Sequence, residues 1–364
     1  MTIKKTDTPF YERFALIIIG LVTFGFLVEA GKEILDPLVF GFLFAILLLP
    51  VANFFEKKLR MPRSAASFLS IIILVSFVSF VAYLLSNQVT HLMSDWPMLK
   101  KQIEESINNI KEWVSYALHI DTEEQTVYVT NTTKKIVSSG TAVIITTFGA
   151  VSSLVLFYIF IIIFTFFILF YRRLLYRFML SVFTEEHEVV VKDIIRNIQN
   201  ILRQYILGLL IEMVVVASVA CAIFWFIGIK YAVLLGILVG IFNIIPYLGI
   251  FTALLLSVMI TFATGPVINA IWVGVSVVGI HAIDANLLLP TIVGSKVRLN
   301  AFITFMAIIL GEMIWGLSGM FLSIPVIAIV KIIFDRVEGL KPWGYLLGGD
   351  YEVKKAAAKK MKTE

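Results

Sequence analysis

The chain has 364 residues, of which 59% are hydrophobic and only 15% are charged. Because a soluble globular protein devotes about a quarter of its residues to charges, this composition excludes an ordinary water-soluble domain. The 10 Pro, 22 Gly and single cysteine also exclude a collagen-like chain and a disulfide scaffold. The sequence therefore predicts a polytopic membrane protein.

Eight apolar runs divide the chain, and a helix needs about 20 apolar residues to cross the bilayer. They lie at 14–28, 34–55, 64–86, 141–171, 205–229, 231–263, 267–290 and 301–334. The two runs at 231–263 and 301–334 are too long for one crossing and contain Gly and Pro near their middles. We therefore expect an all-α protein with six full-length transmembrane helices and two broken, re-entrant helical hairpins. Asp36 and Pro37 are expected to open the second helix.

Basic residues are distributed unevenly between the two sides of the predicted membrane domain. With a cytoplasmic N-terminus, most of the 30 Lys and Arg fall on the cytoplasmic segments, as the positive-inside rule requires. This orientation places both termini in the cytoplasm. The net charge of +5 is then explained by topology, and no nucleic-acid partner is expected.

The apolar runs and the polar stretches between them suggest five segments. These are three N-terminal transmembrane helices (1–87), an outer amphipathic helical insert (88–140), a fourth transmembrane helix with a cytoplasmic amphipathic helix (141–203), a core with both hairpins (204–335) and a basic cytoplasmic tail (336–364). The insert could pack on the membrane domain or a neighbouring subunit, or form a lid over the outer mouth. Together with the GxxxG pair Gly236 and Gly240, it is compatible with a homo-oligomer.

The breaks in the two long runs are the best sequence indication of a transport site. Pairs of interrupted hydrophobic segments form the substrate and ion sites of many transporters. Pro246 has no N–H and is expected to leave a carbonyl one turn earlier unpaired. That carbonyl and the side chain of Asn243 could hold an ion or a hydroxylated solute. The hairpins are expected to enter from opposite sides with tips near the midplane; two pairs of short, tilted full spans are the alternative.

Four ionisable residues lie within the apolar runs, where such groups are costly and are functional candidates. His281 and Asp284 are three residues apart on one helix face, so they could share a proton or satisfy each other. Glu312 precedes the second break, where a carboxylate could meet a cation. Glu212 is the weaker candidate because it lies only nine residues after Arg203 and so close to the membrane interface.

Three motifs lie in and around the two broken runs. They are the segment Phe242–Gly249, the segment Asp284–Gly294, and the segment Gly316–Met320 followed by Pro325. Together they resemble the autoinducer-2 exporter family of bacterial inner-membrane transporters, and their order and spacing agree with the family over nearly the whole chain. Ile250 and Ala301 depart from it, because the family often has Pro at these positions.

The resemblance implies a secondary transporter or permease of the bacterial inner membrane that exports a small polar solute such as autoinducer-2. A sodium- or lithium-for-proton antiporter is the alternative. The expected solute or ion path contains Asn243, Pro246, Tyr247, Gly249, His281, Asp284, Asn286, Pro290, Gly294, Glu312, Gly316, Ser318, Gly319 and Pro325. Neither a cofactor nor a metal is expected, and the chain has no phosphate-binding GxxxxGK[ST] loop for ATP.

Two other classes of function remain as alternatives. The sequence Gly316–Gly319 fits the GxSG of rhomboid-type intramembrane proteases, with Ser318 as nucleophile and His281 as base. The histidine precedes the serine here, however, which is the reverse of the rhomboid order, so an enzyme is not expected. A membrane scaffold that transports nothing is the other alternative, but it would not need two broken hairpins.

Overall fold

The computed structural model describes residues 9–95, 97, 98, 101, 105, 155–246, 248–288, 291 and 299–348, and this part of the chain is helical. The N-terminal half contains α1 (Phe10–Ala30), α2 (Lys32–Lys57), α3 (Arg63–Ser94), α4 (Val155–Ser181) and α5 (Glu188–Ile227). The C-terminal half contains α6 (Ala232–Asn243), α7 (Leu248–Thr264), α8 (Val267–Ile283), α9 (Ala301–Arg336) and α10 (Lys341–Gly348). A π-helical turn, Asp284–Leu288, continues α8.

Six of these helices are long and apolar enough to cross a membrane: α2, α3, α4, α5, α8 with its π-helical turn, and α9. The predicted all-α polytopic membrane class is therefore confirmed. The six differ from the predicted set at two places. The apolar part of α1 is the shorter stretch Phe14–Ala30, and α9 reaches its length as two arms of a hairpin.

The start of α2 differs from the prediction. The helix begins at Lys32, directly after Gly31, so Asp36 and Pro37 lie inside it rather than at its opening. Pro37 is the sixth residue of α2 and has no N–H, so the usual helical hydrogen bond to the Glu33 carbonyl is missing near the start of the helix. The consequence is that Asp36 lies within the membrane domain.

The first hairpin consists of α6 and α7, which are joined at the predicted break. Its first arm packs closely against α5, because a Cβ atom on Gly236 would lie 2.4 Å from Cys221 Sγ and one on Gly240 would lie 2.6 Å from Ala217 Cβ. The GxxxG pair therefore makes its close contact within this chain. At the turn, a Cβ on Gly249 would lie 1.7 Å from the Phe242 carbonyl oxygen, so the second arm starts directly against the first.

The second hairpin is formed by α9, whose chain reverses at Trp315 and Gly316. Gly316 has φ 61° and ψ −138°, a conformation that only glycine adopts readily. One turn away, the backbones of Gly311 and Gly319 touch, since a Cβ on Gly319 would lie 1.9 Å from the Gly311 carbonyl oxygen. Glycine is therefore needed both for the bend and for the close approach of the arms.

One end of the helix bundle is marked by ion pairs between helix termini, and we call it the Glu56 end. The Glu56 carboxylate at the end of α2 accepts hydrogen bonds from Arg172 and Arg173 of α4. Arg336 at the end of α9 pairs with Asp193 near the start of α5, with 2.5 Å between Nε and Oδ2.

The opposite end is marked by residues that join α3 to the start of the first hairpin, and we call it the Asp95 end. The Asp95 carboxylate accepts hydrogen bonds from Lys230 Nζ at 2.6 Å and from the Tyr231 hydroxyl at 2.5 Å. The hydrogen bonds with Lys230 and Tyr231 lower the pKa of Asp95 below its ordinary value of 3.8. These contacts fit the predicted threading, in which the Glu56 end is cytoplasmic; that orientation stays a prediction.

The tip of the second hairpin lies near the Asp95 end of α2. Trp315 Nε1 donates a hydrogen bond to the Val28 carbonyl at 3.2 Å, and Ser318 hydrogen-bonds the Asp36 carboxylate. Asp36 lies four residues after the first residue of α2, which is about 6 Å at about 1.5 Å per residue. These contacts favour a hairpin whose arms cross most of the bilayer. They do not favour the expected tip at the midplane.

Several predicted segments fall outside the described residues or cross helix boundaries. Most of the insert (88–140) and of the tail (336–364) is outside the described residues. The boundary placed after residue 203 falls inside α5, which continues from the amphipathic stretch into the apolar run without a break. The five-segment division otherwise stays a prediction.

Candidate functional site

Three polar side chains from three helices meet at the tip of the first hairpin. Asn243, the last residue of α6, donates from its side-chain amide to Glu212 Oε1 of α5 at 3.1 Å. The same amide nitrogen donates to Asp284 Oδ2 at 3.0 Å, at the point where α8 becomes a π-helical turn. π-Helical turns occur frequently at functional sites. We call Glu212, Asn243 and Asp284 the carboxylate–amide group.

Both carboxylates of this group are buried. Glu212 and Asp284 each retain only 3% of their accessible surface. Oε2 of Glu212 and Oδ1 of Asp284 are also buried and have no hydrogen-bond partner among the described residues. Two ionised carboxylates so close together repel each other, and one amide cannot balance two negative charges. The pair therefore needs a proton or a cation in addition to Asn243.

The oxygen atoms of the group suit a proton or a hard cation better than a transition metal. Carboxylate and amide oxygens are the ligands that such cations prefer. Within the described residues, no cluster of three or more His, Cys, Asp or Glu residues could hold a metal ion.

A small cavity adjoins the carboxylate–amide group and includes His281. Besides Asn243 and His281, its lining is apolar, consisting of Val216, Val239, Ile250, Ala253, Val277 and Ile280. His281 Nδ1 is buried and has no hydrogen-bond partner in the described part of the chain. The expected pairing of His281 with Asp284 is not formed, because Asp284 Oδ2 instead accepts from Asn243 on the neighbouring helix.

The carboxylate–amide group lies deep in the bundle, as measured from the Asp95 end. At about 1.5 Å per residue along the helix axis, Asn243 lies about 17 Å from the start of α6, and Glu212 lies about 22 Å from the end of α5. By the same measure, Asp284 lies about 25 Å from the start of α8. A hydrocarbon core is about 30 Å thick. Measured along these helices, the tip of the first hairpin therefore lies about 17–25 Å from the Asp95 end, and its re-entrant character stays a prediction.

Pro246 does not leave the unpaired carbonyl that its sequence position suggested. The Phe242 carbonyl accepts a hydrogen bond from the Ile245 N–H at 2.9 Å, because the backbone turns sharply after α6. The expectation of an unpaired carbonyl is therefore wrong, and the place of Pro246 on an ion path stays a prediction. Pro246 and Gly249 shape the turn that places Asn243.

Tyr247 of the first motif and the remaining candidates of the second motif lie apart from this group or outside the described residues. Asn286 is exposed and donates to the Ala282 carbonyl at 2.7 Å within its own helix. Tyr247, Pro290 and Gly294 lie outside the described residues, so their predicted roles stay predictions.

Candidates of the third motif belong to the second hairpin. Gly316 and Gly319 form its bend and its arm contact, Pro325 is buried in its second arm, and Glu312 is exposed on its first arm. Ser318 hydrogen-bonds Asp36, and no hydrogen bond joins it to His281 in the described structure, as the protease alternative would require.

Asp36 makes a half-buried polar contact, although the sequence points only to a role at a helix start. Its Oδ1 is buried without a partner among the described residues, while its carboxylate receives the Ser318 hydrogen bond. The signal for this contact is an acidic residue just inside an apolar run and next to Pro37.

Comparison with known proteins adds independent information. The profile of a family described as "AI-2E family transporter" matches residues 14–339, which is most of the chain. The chain belongs to this family. It is 27% identical over 343 residues to YueF of Bacillus subtilis (strain 168), which covers 89% of this chain and 91% of YueF. It is also 20% identical over 321 residues to YhhT of Escherichia coli (strain K12), covering 88% and 90% of the two chains.

The names of both relatives describe them only as candidate transport proteins. Together with the membrane-spanning helices, membership of the AI-2E family identifies the protein as a multi-pass membrane transporter or permease. The resemblance noted in the three sequence motifs is confirmed.

Proposed function

We propose that this protein is a secondary transporter of the bacterial inner membrane that exports a small polar solute such as autoinducer-2, and that the carboxylate–amide group holds the coupling cation. The observation that carries the proposal is the pair of buried carboxylates, Glu212 and Asp284, joined by one amide at a hairpin tip. Ionisable groups at membrane depth are costly and mark ion and proton pathways.

Charge gives this arrangement a means of coupling. When a proton or Na⁺ is bound, the repulsion between Glu212 and Asp284 is removed and the Asn243 amide can hold both oxygens. When the cation leaves, two negative charges remain in a water-poor site, and separation of α5, α8 and the hairpin tip becomes favourable. The presence or absence of one bound ion would thereby shift the equilibrium between two arrangements of the first hairpin.

A sodium- or lithium-for-proton antiporter is the second candidate, and one observation favours it. The cavity beside the group is small and its lining is apolar except for Asn243 and His281. Such a space offers few hydrogen-bonding partners to a hydroxylated solute, whereas the carboxylate oxygens suit a cation.

Flux measurements on reconstituted proteoliposomes test both candidates. Autoinducer-2 efflux and Na⁺/H⁺ exchange are measured in parallel over a range of pH for the wild type, Glu212→Gln and Asp284→Asn. We expect each substitution to reduce flux by about ten-fold or more, which corresponds to only about 1.4 kcal/mol, and to remove its pH dependence.

Glu188→Gln provides the matched control, because Glu188 is an exposed carboxylate at the start of α5 that pairs with Lys192. This variant should retain wild-type flux. Normal, pH-dependent flux in both Glu212→Gln and Asp284→Asn would contradict the proposed role of the group. Na⁺/H⁺ exchange without autoinducer-2 efflux would select the antiporter.

A further inference from the structure

Three arginines converge on one carboxylate at the Glu56 end of the bundle. The Glu56 carboxylate contacts Arg172 and Arg173 of α4, and its Oε1 lies 3.9 Å from Arg63 Nε at the start of α3. Arg172 additionally donates to Asn53 Oδ1 at 3.1 Å and to the Leu169 carbonyl at 3.0 Å. We call Glu56, Arg63, Arg172 and Arg173 the interfacial arginine cluster.

The cluster has a mostly buried base and a more exposed rim with excess positive charge. The side chains of Glu56 and Arg172 are 16% and 15% exposed and neutralise each other, whereas those of Arg63 and Arg173 are 33% and 57% exposed. Arg63 Nε is buried and makes no hydrogen bond within the described residues. Three guanidinium groups and one carboxylate leave an excess of two positive charges, and this excess is on the rim.

The cluster lies at the level where lipid phosphates are found. The apolar run of α2 ends at residue 55, that of α3 begins at 64, and that of α4 ends at 171. Three further basic residues at the end of α2 and in the connection to α3 are exposed, namely Lys57, Lys58 and Arg60. The rim is therefore part of a basic surface at the ends of these apolar runs.

Apolar surface continues from the cluster along the same helices. Phe54, Phe68 and Phe167 are exposed large hydrophobic residues within two turns of the cluster on α2, α3 and α4. Acyl chains could cover these rings while a headgroup occupies the rim. A soluble phosphate would gain nothing from this apolar surface.

We propose that the interfacial arginine cluster binds the phosphodiester headgroup of an anionic phospholipid between Arg63 and Arg173. A guanidinium presents paired N–H donors in a plane that match phosphate oxygens. Basic pockets between transmembrane helices on the cytoplasmic side bind acidic headgroups in this way. The negative headgroup would neutralise part of the positive charge that Glu56 does not neutralise, and it would contact both α3 and α4.

Native mass spectrometry of the full chain in detergent, titrated with phosphatidylglycerol or phosphatidylcholine, tests this proposal. We expect phosphatidylglycerol to bind and phosphatidylcholine to bind much more weakly. The double variant Arg63→Gln, Arg173→Gln should weaken phosphatidylglycerol binding by about 25-fold, since each basic residue near the surface contributes about five-fold. Arg173→Gln alone should weaken phosphatidylglycerol binding by about five-fold. Because the Arg173 side chain is 57% exposed, this substitution should leave folding intact.

The control double variant Arg177→Gln, Lys192→Gln removes the same net charge from α4 and α5 outside the cluster. It should change phosphatidylglycerol binding little. An equal loss in both double variants would show that only bulk charge attracts the lipid, and the proposal would fail.

Glu56→Gln separates a lipid site from a structural brace. Removing the competing carboxylate should tighten phosphatidylglycerol binding by about five-fold, because one more guanidinium becomes free. Weaker binding in Glu56→Gln would show that the cluster acts only by holding α2, α3 and α4 together. Displacement of phosphatidylglycerol by millimolar glycerol phosphate would assign the rim to a soluble phosphate and would also overturn the proposal.

Discussion

Replacing Gly319 with alanine tests the contact between the two arms of the second hairpin. The added Cβ would lie 1.9 Å from the Gly311 carbonyl oxygen and 2.6 Å from the Gly311 carbonyl carbon, whereas ordinary contact begins near 3.4 Å. Both neighbours are backbone atoms, so a side-chain rotation cannot relieve the overlap and the arms must separate. Overpacking of this kind costs about 1–3 kcal/mol, which exceeds the gain of at most about 1 kcal/mol from alanine's higher helix propensity.

Gly279→Ala is the matched control, because an added Cβ at this position in α8 meets no atom within 4 Å. It should stabilise the protein by about 0.4–1 kcal/mol, since the unfolded chain loses conformational freedom. Thermal unfolding of both variants in the same detergent should therefore shift in opposite directions. A Gly319→Ala protein as stable as Gly279→Ala would show that the two arms do not touch at this level.

Three further predictions concern the first hairpin, the second tip and the Asp95 contact. Pro246→Ala should lower transport more than stability because the proline shapes the turn that places the site, and full activity with a higher melting temperature would contradict this. In a Cys221→Ser background, Ser318→Cys should react with a membrane-impermeant thiol reagent added from the periplasm. Labelling mainly from the cytoplasm would instead support a tip that stops inside the bilayer. Asp95→Asn should destabilise the protein at neutral pH because Lys230 lowers the pKa of Asp95. The stability difference from wild type should disappear as the pH falls through that lowered pKa, and a pH-independent difference would be contrary evidence.

Local sequence features predicted the positions of the helices and their breaks. Apolar runs long enough to cross a bilayer determine the spans, and the breaks follow from residues that interrupt a helix, Pro246 in one run and Gly316 in the other. The GxxxG contact was also predictable because Gly236 and Gly240 lie one turn apart on a single helix face.

Contacts between distant segments were not predictable in the same way. Asn243 bonds Glu212 and Asp284, which are 31 and 41 residues away in the chain. The spacing of His281 and Asp284 suggested a local pair, whereas packing of α5, α6 and α8 gives Asp284 a partner on another helix. Periodicity within one helix contains no information about the rotation of its neighbours, so the sequence ranks Glu212 as the weaker candidate although it is one of the two buried carboxylates of the group.

The two hairpin tips differ in what holds them, and under the proposed function this difference assigns them different tasks. The second tip is held by two hydrogen bonds to α1 and α2, those of Trp315 and Ser318, and its arms touch through glycine backbones. The first tip is held by an amide between two buried carboxylates, so the strength of its attachment changes when a cation arrives or leaves. Since a ligand shifts an equilibrium only through a difference in affinity between two states, the first hairpin is the element that an ion can move. Glu212 and Asp284 are therefore the residues whose removal should uncouple ion binding from transport, while changes at the second tip should act on the packing of the bundle.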